Sequence, residues 1–187
     1  MARFDRDNLI QQCIDACEGS DTPCEAVQAV IERTMSSPDR VADAMGDPEG
    51  GPVFTTWYQS DFLTMLHVVW PPEVDLFAHD HQMWAVIGLY GGREDNRFYR
   101  RLSDGSLAPK GSQTLLKGDV MALDEDAVHA VANRSREWTG SIHVYGGDYF
   151  ASARTMWRGD PPQAEPFDAD ALQQVLERAA ILARTPS

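Results

Sequence analysis

Four of the five histidines fall in three short segments: His79-Asp80-His81, His129-Ala130-Val131-Ala132-Asn133 and Ser141-Ile142-His143-Val144-Tyr145. In an extended strand residues i and i+2 share a face, with roughly 6 to 7 Å between their Cα atoms. The imidazoles of His79 and His81 can therefore converge on one ion, and His129 completes a three-nitrogen set. Neutral imidazole is the commonest protein ligand for a metal, so the first chemistry these residues suggest is that of a bound transition metal.

The third segment puts Ser141, His143 and Tyr145 at i, i+2 and i+4, again on one face. Arg134-Ser135-Arg136 has the polar composition of a hairpin turn. A turn centred near Arg136 would set His129 opposite His143 in an antiparallel pair, so that ligands and polar row share one interior. Three inward polar groups must find hydrogen-bond partners. A relay in which Ser141 orients His143, and His143 the phenol of Tyr145, satisfies them and directs the phenol towards whatever binds beside the ion. Asp80 should face away from its flanking histidines, at the surface or in a supporting hydrogen bond. His67 reads as a strand histidine, and Trp84, Trp138 and Tyr90 as core aromatics.

Other chemistries are poorly served. No Gly-x-Ser-x-Gly elbow occurs and no carboxylate is spaced to orient His143, which argues against a serine hydrolase. Gly88-Leu89-Tyr90-Gly91-Gly92 lacks the spacing of a dinucleotide fingerprint. A net charge of −13 argues against nucleic acid, which requires clustered Lys and Arg. Cys13, Cys17 and Cys24 are odd in number and lack Cys-x-x-Cys spacing; Cys13 and Cys17, with Leu9 and Ile10, belong to an apolar helix face. No apolar run is long enough for a membrane span, and the charged start leads into an amphipathic segment, so a cytoplasmic protein with no membrane partner is expected.

The elements that must position these residues follow from periodicity. The 187 residues suit one domain, with a helical region over 1–50, a β-barrel over 53–156 and a C-terminal helix over 168–184. Asp5 to Glu18 and Thr22 to Met35 read as helices, the second opening on Thr22-Pro23-Cys24-Glu25, a capping box with proline at the first helical position. Val27, Val30 and Ile31 form its buried stripe. A shorter helix over Arg40 to Met45 leads into a Gly- and Pro-rich loop at 46–52. Short runs rich in Val, Ile, Leu, Thr and aromatics then alternate with turn signals such as Pro71-Pro72, Asp104-Gly105 and Lys117-Gly118-Asp119, as in a barrel or sandwich. The last helix carries Leu172, Val175, Leu176 and Ile181 at helical spacing, and should cap or flank the β core.

His79-Asp80-His81 running on to Gly88 or Gly91, and Gly118 followed by His129 and Asn133, resemble the two metal-binding motifs of cupins. The resemblance spans about half the chain and implies a mainly β, double-stranded β-helix barrel. One departure is informative: Ala85 and Val86 stand where the common pattern has a glutamate ligand. Three neutral imidazoles leave the 2+ charge of an ion uncompensated, which favours an anionic co-ligand such as a thiolate and leaves positions open for substrate and oxygen. Ferrous thiol dioxygenases have that arrangement. Ser141-Ile142-His143-Val144-Tyr145 resembles the Ser-x-His-x-Tyr relay of cysteine and 3-mercaptopropionate dioxygenases, as does Trp70, nine residues before the first ligand.

The resemblance implies Fe(II) held by His79, His81 and His129, with Ser141, His143 and Tyr145 catalytic and a small thiol and O2 as partners. Cysteine dioxygenases carry a cysteine after the second histidine that crosslinks to the relay tyrosine; Gln82-Met83-Trp84-Ala85-Val86 has none, so Tyr145 should be an unmodified phenol. Arg154, nine residues past Tyr145, stands where 3-mercaptopropionate dioxygenases have an arginine for the substrate carboxylate. Arginine presents a planar, bidentate fork to such a group. The arginines of the Arg93 to Arg101 run are competing anchors, since alternate residues there could enter the barrel. The spacing leaves zinc, nickel, copper or manganese open as the ion, and a monomer or homodimer as the assembly. Alternatives to the thiol reading are a metal-dependent cupin acting on a non-thiol molecule and a non-catalytic barrel for a small ligand or metal.

Overall fold

The computed structural model describes residues 3–46 and 54–184. The loop read at 46–52 lies outside them apart from Gly46, and so does the expected start of the barrel at 53. Three helices come first: α1 (Arg6–Glu18), α2 (Pro23–Met35) and α3 (Pro38–Met45). Asp5 caps α1, its carboxylate accepting from the Asn8 amide at 3.1 Å. The capping box expected at Thr22 does not form; the Thr22 side chain makes no cap bond, and its amide is taken by Ser20 Oγ at 3.0 Å. Proline at the first position of α2 still presets the helix. Helix α3 begins two residues earlier than its expected start, again on a proline.

Val27, Val30, Ile31 and Met35 of α2 are buried with Cys13 of α1 against the outer residues of one sheet, among them Met65, Val86, Ile142 and Val144. The approach is close at Gly88, where a Cβ would lie 2.5 Å from Ile31 Cγ2. The sheet therefore buries both faces, one under helices and one in the barrel, which is why its strands read as nearly continuous apolar runs.

Eleven strands follow among the described residues: β1 (Phe54–Gln59), β2 (Thr64–Trp70), β3 (Ala78–Asp80), β4 (Ala85–Gly91), β5 (Arg93–Arg101), β6 (Leu107–Leu116), β7 (Val120–Leu123), β8 (Val128–Ala132), β9 (Thr139–Tyr145), β10 (Thr155–Arg158) and β11 (Gln163–Pro166). They form two antiparallel sheets, in the orders β1-β2-β9-β4-β7 and β11-β10-β3-β8-β5-β6. The pairs β5–β6, β4–β7, β3–β8 and β2–β9 are nested one outside the next. Pairs β4–β9 and β5–β8 join successive turns. A long hairpin has thus been wound on itself, alternate pairs going to alternate sheets. This is the double-stranded β-helix, mainly β with helices at both ends, of the kind found in cupins.

That winding corrects the expected β8–β9 hairpin. The two strands lie in different sheets, and Arg134-Ser135-Arg136 belongs to the crossover between them. Asn133 holds this crossover: its amide nitrogen donates to the carbonyls of Pro71 at 3.2 Å and Glu137 at 2.7 Å, while Oδ1 accepts from Ser135 Oγ at 2.7 Å. The polar composition of the crossover is equally that of a hairpin turn, and composition alone cannot distinguish them.

Helix α4 (Ala169–Arg184) is capped by Asp168, whose Oδ1 accepts from the amides of Asp170 and Ala171. Leu176 is fully buried, and Leu172 and Val175 pack beside it on the barrel's inner cluster, so α4 flanks the β core as expected. Ile181 departs from its expected stripe and is 66% exposed. Among the described residues no helix is long and apolar enough to cross a membrane.

Candidate metal centre

His79 on β3 and His129 on β8 are direct antiparallel partners, so they share the inner face of their sheet. His81 lies just beyond the end of β3, two residues on, and turns the same way. The ligand-capable nitrogens of the three all lie within 4.8 Å of one another, and all three side chains are buried. Ring centroids are 4.7 Å apart for His79 and His129, 5.2 Å for His79 and His81, and 5.0 Å for His81 and His129.

Hydrogen bonds select which nitrogens remain free. His79 Nδ1 lies 3.2 Å from the Phe77 carbonyl, which can only accept, so Nδ1 carries the proton and Nε2 is left with its lone pair. His129 Nδ1 lies 2.7 Å from Asn96 Oδ1, and His129 Nε2 is buried with no hydrogen-bond partner among the described residues. An orphaned, buried imidazole nitrogen is costly unless something coordinates it. Burial holds all three rings neutral: it lowers His79 from 6.5 to about 4, and lowers His81 and His129 well below 6.5, with neighbouring imidazoles adding to the effect at both. Neutral, preoriented and converging nitrogens fit a transition-metal ion.

The polar row of β9 occupies the facing sheet. Ser141 Oγ is 2.9 Å from His143 Nε2, and His143 Nδ1 is 3.0 Å from the Tyr145 hydroxyl. The relay geometry expected from spacing is present, and Tyr145 stands edge-on to His81 at 5.1 Å between centroids. Two neighbours bias the tautomer of His143. Ser141 also donates to the Val68 carbonyl at 3.3 Å, and a Glu94 carboxylate oxygen lies 4.0 Å from His143 Nε2. Both favour a proton on Nε2, which leaves Nδ1 to accept from the phenol. Burial lowers His143 to about 3 and raises Tyr145 well above 10, so both are neutral.

Glu94, Asn96 and the precise role of Trp70 were missed from sequence. Glu94 and Asn96 alternate on β5 with outward Arg93, Asp95 and Arg97, and both are buried. Glu94 Oε1 accepts from Asn96 Nδ2 at 2.9 Å and Oε2 from Trp70 Nε1 at 2.7 Å. A carboxylate therefore does stand near His143, contrary to expectation, although its offset of 49 residues along the chain could never have shown which face of β5 it occupies. Alternation in the run Arg93 to Arg101 was the available signal, and it is symmetric between faces.

Of the four arginines of that run, Arg100 is exposed and the other three pair with aspartates. Arg93 bonds Asp95 at 2.7 Å, Arg97 pairs with Asp75, and Arg101 pairs with Asp80. Asp80 is fully buried rather than superficial; it also accepts from Gln82 Nε2 at 2.7 Å and the Thr155 amide at 2.8 Å, tying the ligand strand to β5 and β10. His67 lies outside the barrel, between Trp57 and Tyr90, with Nε2 2.6 Å from the Tyr90 hydroxyl.

Arg154 differs from the others. Its guanidinium is sandwiched between the rings of Tyr149 and Phe167, 3.9 Å from each centroid, and its Nε and Nη1 are buried without a hydrogen-bond partner among the described residues. Both rings line the cavity into which His79, His81, His129 and Tyr145 project. The charge of Arg154 acts on His79, His81 and Tyr145.

The buried imidazoles give a pH-dependence with a definite sign. Their folded-state values lie below the ordinary 6.5, so their contribution is fully present above about pH 6.5. As pH falls from there towards 4, the unfolded chain takes up protons that the folded chain does not. The chelator-treated protein should lose stability at up to about 1.4 kcal/mol per pH unit for each such histidine. Melts at pH 8, 6.5 and 5 test this; a midpoint unchanged between 6.5 and 5 would show that the rings protonate freely in the folded state.

No protein-family model matches the chain. Solved structures similar to it include an uncharacterised Klebsiella pneumoniae protein with a double-stranded β-helix domain, at 14% identity and TM-score 0.43, over 57% of this chain and 80% of that one. Another is a cupin-family protein from Methanocaldococcus jannaschii, at 8% identity and TM-score 0.43, over 54% of this chain and 86% of that one. Oxalate decarboxylase from Bacillus subtilis is similar at 14% identity and TM-score 0.40, over 50% of this chain and 23% of that one. The barrel assignment rests on the nested strand pairing, and the chemistry on the residues within it.

Proposed function

We propose that the protein is a mononuclear, non-haem Fe(II) dioxygenase that converts a small carboxylate-bearing thiol to its sulfinic acid, RSH + O2 → RSO2H. The observation that carries this reading is the combination of three neutral imidazoles and the His143-Tyr145 end of a Ser141-His143-Tyr145 relay lining one cavity, with a buried arginine that has unpaired N–H groups packed between two of the cavity's rings, Tyr149 and Phe167. His79, His81 and His129 would hold the ion, and Fe(II) would supply affinity for a thiolate and the activation of dioxygen.

The chain's own groups account for the rest. Arg154 meets the substrate carboxylate with the N–H groups it leaves unpaired, held in place by the Tyr149 and Phe167 rings. Tyr145 changes role with the His143 tautomer: with the proton on Nε2 the phenol donates to His143, and with the proton on Nδ1 its O–H is released to the cavity. An anionic oxygen arriving there favours the second state, and Ser141 accommodates the change by turning its hydroxyl to Nε2. No Asp or Glu is among the described residues lining the cavity, so nothing there matches an α-ammonium group. 3-Mercaptopropionate is therefore the expected substrate ahead of cysteine.

Oxygen consumption and sulfinate formation by Fe(II)-loaded protein, with 3-mercaptopropionate, cysteine and cysteamine, test the reading. Turnover fastest with 3-mercaptopropionate supports it; no oxygen uptake with any thiol overturns it in favour of a non-thiol substrate or a binding role. Arg154→Ala should raise KM for 3-mercaptopropionate roughly thirtyfold, about 2 kcal/mol for a charge pair in a partly desolvated site, and scarcely alter cysteamine. An equal loss for both thiols would place the carboxylate elsewhere.

A further inference from the structure

The carboxylate missing from the ligand set has a buried counterpart in the wall behind it. Glu94 is fully buried on β5, and its two oxygens take hydrogen bonds from Asn96 Nδ2 at 2.9 Å and Trp70 Nε1 at 2.7 Å. Asn96 in turn sets its Oδ1 2.7 Å from His129 Nδ1. We propose that Glu94 is a positioning residue that dictates the tautomer of His129, acting through the Asn96 amide, and so delivers the unprotonated Nε2 to the metal. The proposal rests on the three-histidine metal reading, but not on the identity of the metal or on the thiol reaction.

The polarity of the chain follows from donor and acceptor inventories. A carboxylate accepts and does not donate, so the Asn96 NH2 must face Glu94 and its carbonyl oxygen must face His129. An amide oxygen accepts and does not donate, so His129 Nδ1 must carry the proton. Nε2 is then left as a lone pair, buried and without a partner among the described residues. The other Glu94 oxygen is fixed by the indole, which can only donate. That same oxygen lies 4.0 Å from His143 Nε2, so one carboxylate orients groups on both sheets of the site.

Glu94→Gln tests the proposal because it preserves shape and reverses one end of the chain. The indole cannot change its polarity, so the Gln carbonyl must keep Trp70 and the Gln NH2 must turn to Asn96. The Asn96 amide then flips, presents its NH2 to His129 Nδ1, and forces the imidazole proton onto Nε2. A second change repairs this: in Glu94→Gln/Asn96→Asp the Asp carboxylate accepts from both the Gln NH2 and His129 Nδ1–H.

Nitrogen-15 NMR of the histidine side chains in chelated protein reads the tautomer without any metal. The expected result is Nδ1–H at His129 in the wild type, Nε2–H in Glu94→Gln and Nδ1–H again in the double variant. Iron and zinc affinities should fall ten- to a hundredfold in Glu94→Gln, the usual effect of losing a group that orients a ligand, and recover in the double variant. A purely structural role for Glu94 would lower the melting temperature without moving the tautomer and without rescue by Asn96→Asp. Nε2–H at His129 in the wild type, or an unchanged tautomer in Glu94→Gln, overturns the proposal; should Glu94→Gln fail to fold, the wild type and the fully paired double variant still decide it. A correct tautomer pattern in a wild type that binds neither metal would instead reject the metal reading and leave the positioning role standing.

Discussion

His129→Ala is expected to abolish stoichiometric binding of a ferrous ion. His129 is one of three converging imidazoles, and its Nε2 is buried with no hydrogen-bond partner among the described residues. A structural zinc site of four ligands is worth about 10 to 16 kcal/mol, or roughly 2.5 to 4 kcal/mol per ligand. Removing one should therefore weaken binding on the order of a hundred- to a thousandfold. Metal analysis after dialysis, alongside circular dichroism to show that the barrel is intact, measures it. Full iron occupancy in a folded His129→Ala protein would sink the three-histidine assignment. A partial loss common to His79→Ala and His81→Ala, with no loss in His67→Ala, would support it, because His67 lies on the outer face against Trp57 and Tyr90.

Tyr145→Phe should have nearly as large an effect on turnover and almost none on metal content. The Tyr145 hydroxyl bonds His143 at 3.0 Å and lies in the cavity wall, and it is not one of the clustered ligands. Loss of one hydrogen bond that strengthens in the transition state typically costs a hundred- to a thousandfold in kcat. The comparison that isolates this role is kcat against KM: kcat should fall while the KM for 3-mercaptopropionate stays within a few-fold, because the substitution leaves Arg154, the proposed carboxylate anchor, in place. Unchanged turnover with the best thiol would remove the relay from the mechanism. A parallel loss of iron would show instead that the phenol supports the ligands, through its contact with His81.

Much of this site was legible in the chain itself, wherever a residue's role depends on its neighbours within one strand. His79 and His81, and Ser141, His143 and Tyr145, share faces because the pleat repeats every two residues, whatever the strand is paired with. The buried stripe of α2 follows equally from its 3.6-residue period. Arg154, read from its offset beyond Tyr145, lies beside the cavity in an irregular segment where no periodicity applies.

Tertiary structure decided everything that depends on which strand meets which. His129 joins the histidine cluster through its pairing with His79 across β3 and β8, not through a hairpin with β9, because winding the long hairpin sends successive strands to opposite sheets. The same winding turned Glu94 and Asn96 of β5 inward, so that they, rather than Arg93 and Arg97 beside them, became the buried hydrogen-bonding groups behind His129. Alternation along a strand states that two faces exist and which residues share one. Only packing against the second sheet, where a buried carboxylate must find donors and a guanidinium is better left in water, determines which face is in.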